Sequence, residues 1–113
     1  MRAEDRVRIQ HMMEATESVA RFLAGRQRQD LEQDEMLRFA LTRAIEIIGE
    51  AASRVSPEAQ NSLVDVPWKE VMGMRNRLVH AYFDVDLDIL WRTAWEAVPA
   101  LSKQLASIVD TGN

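Results

Sequence analysis

Cysteine is absent from this 113-residue chain. That excludes disulfides, thiolate zinc sites and cysteine nucleophiles, and it fits a cytoplasmic home. No run of about 18 apolar residues occurs, so no membrane-spanning helix is expected. The opening "MRAEDRVRIQ" is charged and lacks the apolar stretch of a signal peptide. Positive charge is not in excess either: the formal net charge is −4. A protein that held nucleic acid by bulk electrostatics would be basic, so nucleic-acid chemistry here needs a local positive site. Histidine is scarce, with only His11 and His80, too few to build a metal site from imidazoles. Strand-like alternation, internal repeats and low-complexity tracts are missing as well.

What remains is a helix-forming sequence. Hydrophobic residues make up 47%, enough for a real core, and the length suits one domain spanning residues 1–113. A first helix is expected from about Ala3 to Ala24. In it Ile9, Met12, Met13, Thr16, Val19, Ala20 and Leu23 recur at steps of three and four, and Gly25 supplies a stop. A second runs from Asp30 or Asp34 to Val55, with Leu37, Leu41, Ala44, Ile45, Ile48, Ala51, Ala52 and Val55 on its apolar face. Ser56 as N-cap and Pro57 at the first helical position open a short helix. Pro67 opens another, "PWKEVMGMRNRLVH". Asp84 or Asp86 caps a last one, whose stripe is Leu87, Trp91, Ala94, Val98, Leu101, Leu105 and Ile108; Pro99 inside it predicts a kink. The fold class is therefore all-α, an antiparallel helical bundle of four to five helices.

The segment "GMRNRLVHAYF", Gly73 to Phe83, carries an unusual density of polar groups for an apolar helical stretch. It and its upstream neighbours hold Lys69, Arg75 and Arg77 against Glu70 alone, the more promising of two local positive sites. The other is "ARFLAGRQRQ", with Arg21, Arg26 and Arg28, read as a solvated loop that could meet RNA. On an ideal helix, at about 100° per residue, Asn76 and His80 are neighbours while Arg75 and Tyr82 share a face. Arg75 and His80 converge only if the helix ends or distorts near His80, if the Arg side chain wraps round, or across two copies of the chain. A histidine moves protons near neutral pH, and an arginine fork matches a phosphate. The pair suits metal-independent cleavage of RNA: a base takes the 2′-hydroxyl proton, that oxygen attacks phosphorus, and an acid protonates the departing 5′-oxygen. A two-fold dimer would supply two histidines, one for each task.

Other polar groups have plainer readings. Arg77 is a solvent-facing helix residue with a possible RNA contact. His11 is a surface residue of the first helix. Glu46 and Glu50, one helical turn apart, could share a metal or a proton; a salt bridge from this pair to an arginine of the motif helix is the preferred reading. Gly49 lets another helix come close, and Gly73 is a candidate for the same. Trp68, Trp91 and Trp95 are expected in the core or at a dimer seam.

The string "RNRLVHAY", Arg75 to Tyr82, together with "RAIEIIGEAA" (Arg43 to Ala52) and "VPWKEVMGMRNRLVHAYFDVDLDILW" (Val66 to Trp91), resembles the HepT family of toxins in the HEPN class of metal-independent ribonucleases. The resemblance implies a dimerising helical bundle with the motif facing the dimer cleft. It implies Arg75 and His80 as catalytic residues, with Asn76 supporting them, and no cofactor or metal. It also implies a partner: an MNT-type nucleotidyltransferase antitoxin of a type VII toxin–antitoxin pair, which transfers AMP from ATP to the motif tyrosine, here Tyr82. The alternative is a non-catalytic helical module that binds, and is modified by, that nucleotidyltransferase.

Overall fold

The computed structural model describes residues 1–78 and 85–111, with side chains through residue 109. His80, Tyr82 and Asp84 lie outside the described residues. The fold is all-α, and among the described residues no helix is long and apolar enough to cross a membrane.

Helix α1 (Ala3–Leu23) buries Ile9, Met12, Ala15, Thr16, Val19 and Leu23 along one stripe; Ala20, expected there, is exposed. It ends at Gly25, whose φ of 73° lies in the left-handed region that glycine enters without penalty. Both candidate starts of the second helix are used. Asp30 opens the single turn α2 (Asp30–Gln33), and Asp34 then caps α3 (Glu35–Ser53), its carboxylate accepting from the Leu37 N–H at 3.1 Å. All eight apolar positions expected from Leu37 to Val55 are buried. Ser56 caps α4 (Pro57–Ser62) through the Ala59 N–H, with Pro57 in the first turn.

The helix expected to begin at Pro67 is instead two short ones, α5 (Trp68–Met72) and α6 (Met74–Leu78), with Pro67 as the residue before the first. Gly73 is the break. It serves as the C-cap of α5, and the nearest atoms a Cβ there would meet belong to Lys69 and Glu70 of the same helix, so it does not mediate an approach by another one. Gly49 does. A Cβ on it would lie 3.4 Å from the carbonyl oxygens of Val71 and Met72, so α3 and α5 meet nearly backbone to backbone. The indole N–H of Trp68 donates to the Leu63 carbonyl at 3.0 Å and fixes the entry to α5.

Asp86 caps α7 (Leu87–Arg92) by accepting from the Ile89 N–H at 3.0 Å. The same rod continues through a π-helical turn (Thr93–Ala97) into α8 (Val98–Thr111). The irregularity expected at Pro99 therefore falls in the turn before it. Pro99 brings no N–H, and its ring crowds the carbonyl four residues back, that of Trp95; the wider turn, closed by Val98 N–H to Thr93 C=O, takes up the misfit. Helix α1 packs on α3 and α8, and α3 carries α5 and α6 on its other side. Among the described residues, twenty-five buried apolar ones from all these layers form one cluster.

Candidate active site

Met74 and Leu78, one turn apart on α6, are both buried, 2% and 0% exposed. Their burial, worth about 1.5–3 kcal/mol each, pins α6 onto the core. The three residues between them, Arg75, Asn76 and Arg77, are thereby turned outward. Local packing alone thus presents two guanidinium groups and an amide at the surface.

Arg75 is held from below by α3. Its Nε donates to Glu46 Oε2 at 2.5 Å. Arg43, one turn back along α3, donates from Nη1 to the other oxygen of Glu46 at 2.6 Å and reaches Glu50 at 3.5 Å. Both oxygens of Glu46 are therefore engaged by guanidinium groups. Its carboxyl is held below the ordinary value, first by the Arg43 hydrogen bond and then by Arg75, against the opposing effect of burial. Of the two readings of the Glu46–Glu50 pair, the salt bridge to the motif helix is what forms. A shallow groove of about 310 Å³ collects Glu46, Gly49, Glu50, Ser53, Met72, Arg75 and Asn76.

The structure brings Arg75 and Asn76 into one groove and leaves Arg77 outside it. Arg77 Nη2 donates to the Glu70 carbonyl at 3.1 Å, and its side chain borders a different groove with Ile89 and Arg92. Helix α6 is described through Leu78, whose carbonyl accepts from the Asp86 N–H at 2.8 Å. His80, the expected partner of Arg75, lies outside the described residues. In the second basic stretch Arg26 pairs with Asp34, and Arg28 with Asp88 and Glu32, while Arg21 donates to the Ser18 hydroxyl.

Arg43 was not singled out by sequence reasoning. Its position one turn before Glu46 and two turns before Glu50, which it bridges, was the available signal. Trp68 is core, Trp91 is partly buried against the core, and Trp95 is 53% exposed with its ring stacked on Trp91 at 5.4 Å.

The arrangement defines a class first: an all-α protein that offers an anchored guanidinium and an amide in one surface groove, equipment for binding a phosphate. The particular family follows from comparison with known proteins. The family model described as "Ribonuclease HepT-like" matches residues 12–108. The "Probable ribonuclease HepT" of Thermococcus cleftensis is 37% identical over 93 residues, covering 82% of this chain and 84% of that protein. "Putative RNase TTE0752" of Caldanaerobacter subterraneus is 36% identical over 101 residues, 89% of this chain and 90% of that one. No solved structure matches. This chain belongs to the HepT-like ribonuclease family, and ribonuclease is the enzyme class that this membership carries.

Proposed function

We propose that the chain is a metal-independent endoribonuclease toxin of a HepT/MNT toxin–antitoxin pair, working through Arg75 and His80. The observation that carries the reading is the anchored Arg75 beside Asn76 in an open groove, with His80 five residues after Arg75 in the sequence. Arg75, 51% exposed, keeps its terminal nitrogens for a phosphate oxygen of RNA and for the charge that grows there as the 2′-oxygen attacks. Asn76 orients the phosphate or the imidazole. His80 takes the 2′-hydroxyl proton, and the second copy in a homodimer returns a proton to the departing 5′-oxygen. The products are a cyclic phosphate and a free 5′-hydroxyl.

Silencing follows from Tyr82. In the reading we favour, the partner nucleotidyltransferase directs the tyrosine oxygen onto the α-phosphorus of ATP; pyrophosphate departs and the phenol proton goes to a base. The AMP added two residues beyond His80 competes for the Arg75 fork by its phosphate charge.

The test is cleavage of RNA by purified, unmodified protein in the presence of a chelator. Activity lost in both Arg75→Ala and His80→Ala supports the enzyme. A mixed dimer with one His80→Ala subunit that keeps full activity counts against a shared site. Tight binding to the nucleotidyltransferase, with no cleavage by any form, would replace this reading with that of a non-catalytic module. Intact mass with and without the partner, with added AMP mapped to Tyr82, tests the silencing.

A further inference from the structure

The contact between Arg75 and Glu46 joins two helices, yet it is an inefficient way to hold them together. Arg75 is 51% exposed and Glu46 24% exposed, and ion pairs this close to solvent add little to stability. Helix α6 is already pinned by Met74 and Leu78, and α5 by the close approach at Gly49. What the contact does fix is the guanidinium itself. It uses Nε, one edge of a group with five donors, and leaves the two terminal nitrogens for another acceptor. The carboxylate that holds this edge is in turn held by Arg43 on its other oxygen, so it is not free to swing away.

We infer that Glu46 is a positioning residue for Arg75, orienting the terminal fork toward the scissile phosphate, with Arg43 steadying Glu46. This rests on the ribonuclease reading. The arrangement also sets the local charge: Arg43 and Arg75 are balanced by Glu46 and Glu50, so the groove is close to neutral before substrate arrives. Two opposite consequences follow from removing Glu46. The arginine loses its orientation, which slows the chemical step. The groove gains net positive charge, which tightens the hold on anionic RNA. A purely structural salt bridge gives the second without the first.

The experiment compares wild type, Glu46→Ala and Glu46→Gln as full-length, unmodified proteins, by steady-state cleavage of a short single-stranded RNA. In Glu46→Ala, kcat falls by roughly 10- to 100-fold, as expected for a displaced catalytic group, while KM is unchanged or lower. Glu46→Gln recovers part of the loss, because its amide oxygen still accepts from Nε. In parallel, the Arg75 Nε–H resonance, assigned through its disappearance in Arg75→Lys, is protected from exchange in wild type and not in Glu46→Ala. A kcat within twofold of wild type in Glu46→Ala, or a wild-type Nε–H that exchanges like an exposed arginine, overturns the inference while the ribonuclease reading stands. A wild type that cuts no RNA, with its Nε–H protected, overturns the ribonuclease reading and with it the catalytic use of the hold.

Discussion

Among the described residues, two carboxylates have their acidity strengthened by hydrogen bonds, and they are spent differently. Asp5, at the start of α1, is 3% exposed. Its two oxygens accept from the backbone N–H and the hydroxyl of Ser56, at 2.8 and 2.7 Å. The backbone hydrogen bond is the main reason its carboxyl lies below the ordinary value, with the hydroxyl next and burial opposing. Its donor Ser56 uses the same hydroxyl oxygen to cap α4, so Asp5, Ser56 and the first turn of α4 form a closed set. Glu46 also has both oxygens engaged, but the groups engaging it are guanidinium ions near solvent with donors to spare. The first cluster uses up its hydrogen-bonding capacity on the fold. The second leaves capacity on Arg75 facing a groove. Surplus donors, more than any shift in acidity, distinguish the two.

The sharpest way to break this comparison is to cut each cluster and read both stability and cleavage. Arg75→Ala should lose at least roughly 100-fold in RNA cleavage, the effect of removing a donor to a developing charge, with a nearly unchanged melting temperature. Asp5→Ala should do the reverse, lowering the melting temperature by roughly 5 °C or more while each folded molecule still cuts. Loss of activity per folded molecule in Asp5→Ala would erase the distinction.

Next in size is Gly49→Val. A branched side chain against the Val71 and Met72 carbonyls must push α5, and α6 with it, off α3, at a cost of about 1–3 kcal/mol by denaturant titration. Gly49→Ala sits at ordinary contact distance, and the gain in helix propensity offsets its tightness, so its change should stay within about 1 kcal/mol. Acid should act on both clusters in the same direction. Each carboxyl is more acidic folded than unfolded, so each adds stability that is complete above its ordinary value, 3.8 for Asp5 and 4.5 for Glu46. That stability is lost as pH falls below those values toward the depressed ones. Melting temperatures followed from pH 7 to pH 3 should fall across that window, and Asp5→Asn should flatten the fall. The smallest effect is expected at Thr42, one turn before Glu46. Its hydroxyl is shielded and has no hydrogen-bond partner among the described residues, so Thr42→Val should be neutral or stabilising by up to about 1 kcal/mol.

Much of the fold was legible. The apolar register of α3 is buried at every expected position, because a helix packed on both sides leaves its sequence little choice. The caps at Asp34, Ser56 and Asp86 were readable because each side chain bonds a backbone N–H only three residues away. Asp5 escaped notice, although it extends the stripe of Ile9, Met12, Thr16 and Val19 by one turn; periodicity is tallied in apolar residues, and an acid on the stripe reads as solvated. The division of the motif helix at Gly73 was hidden by the good helix formers on either side. The candidate site was legible in its residue types but less so in its geometry. Arg75 and Glu46 are 29 residues apart, and no local spacing predicts which of several acids an arginine will meet. Dimerisation, the partner enzyme and the role of Tyr82 remain with the proposed function.

The π-helical turn has a consequence for how one rod serves two neighbours. Before it, α7 lies against α2 and α6, beside the motif; after it, α8 lies along α1. An extra residue in a helical turn advances the phase of everything downstream by about 100°. The insertion therefore works like a twist in a cable, letting one uninterrupted strut face the layer of the candidate site at one end and the scaffold at the other. Deleting a residue from Thr93–Ala97 would restore a uniform helix and rotate one of those two faces out of alignment with its neighbour.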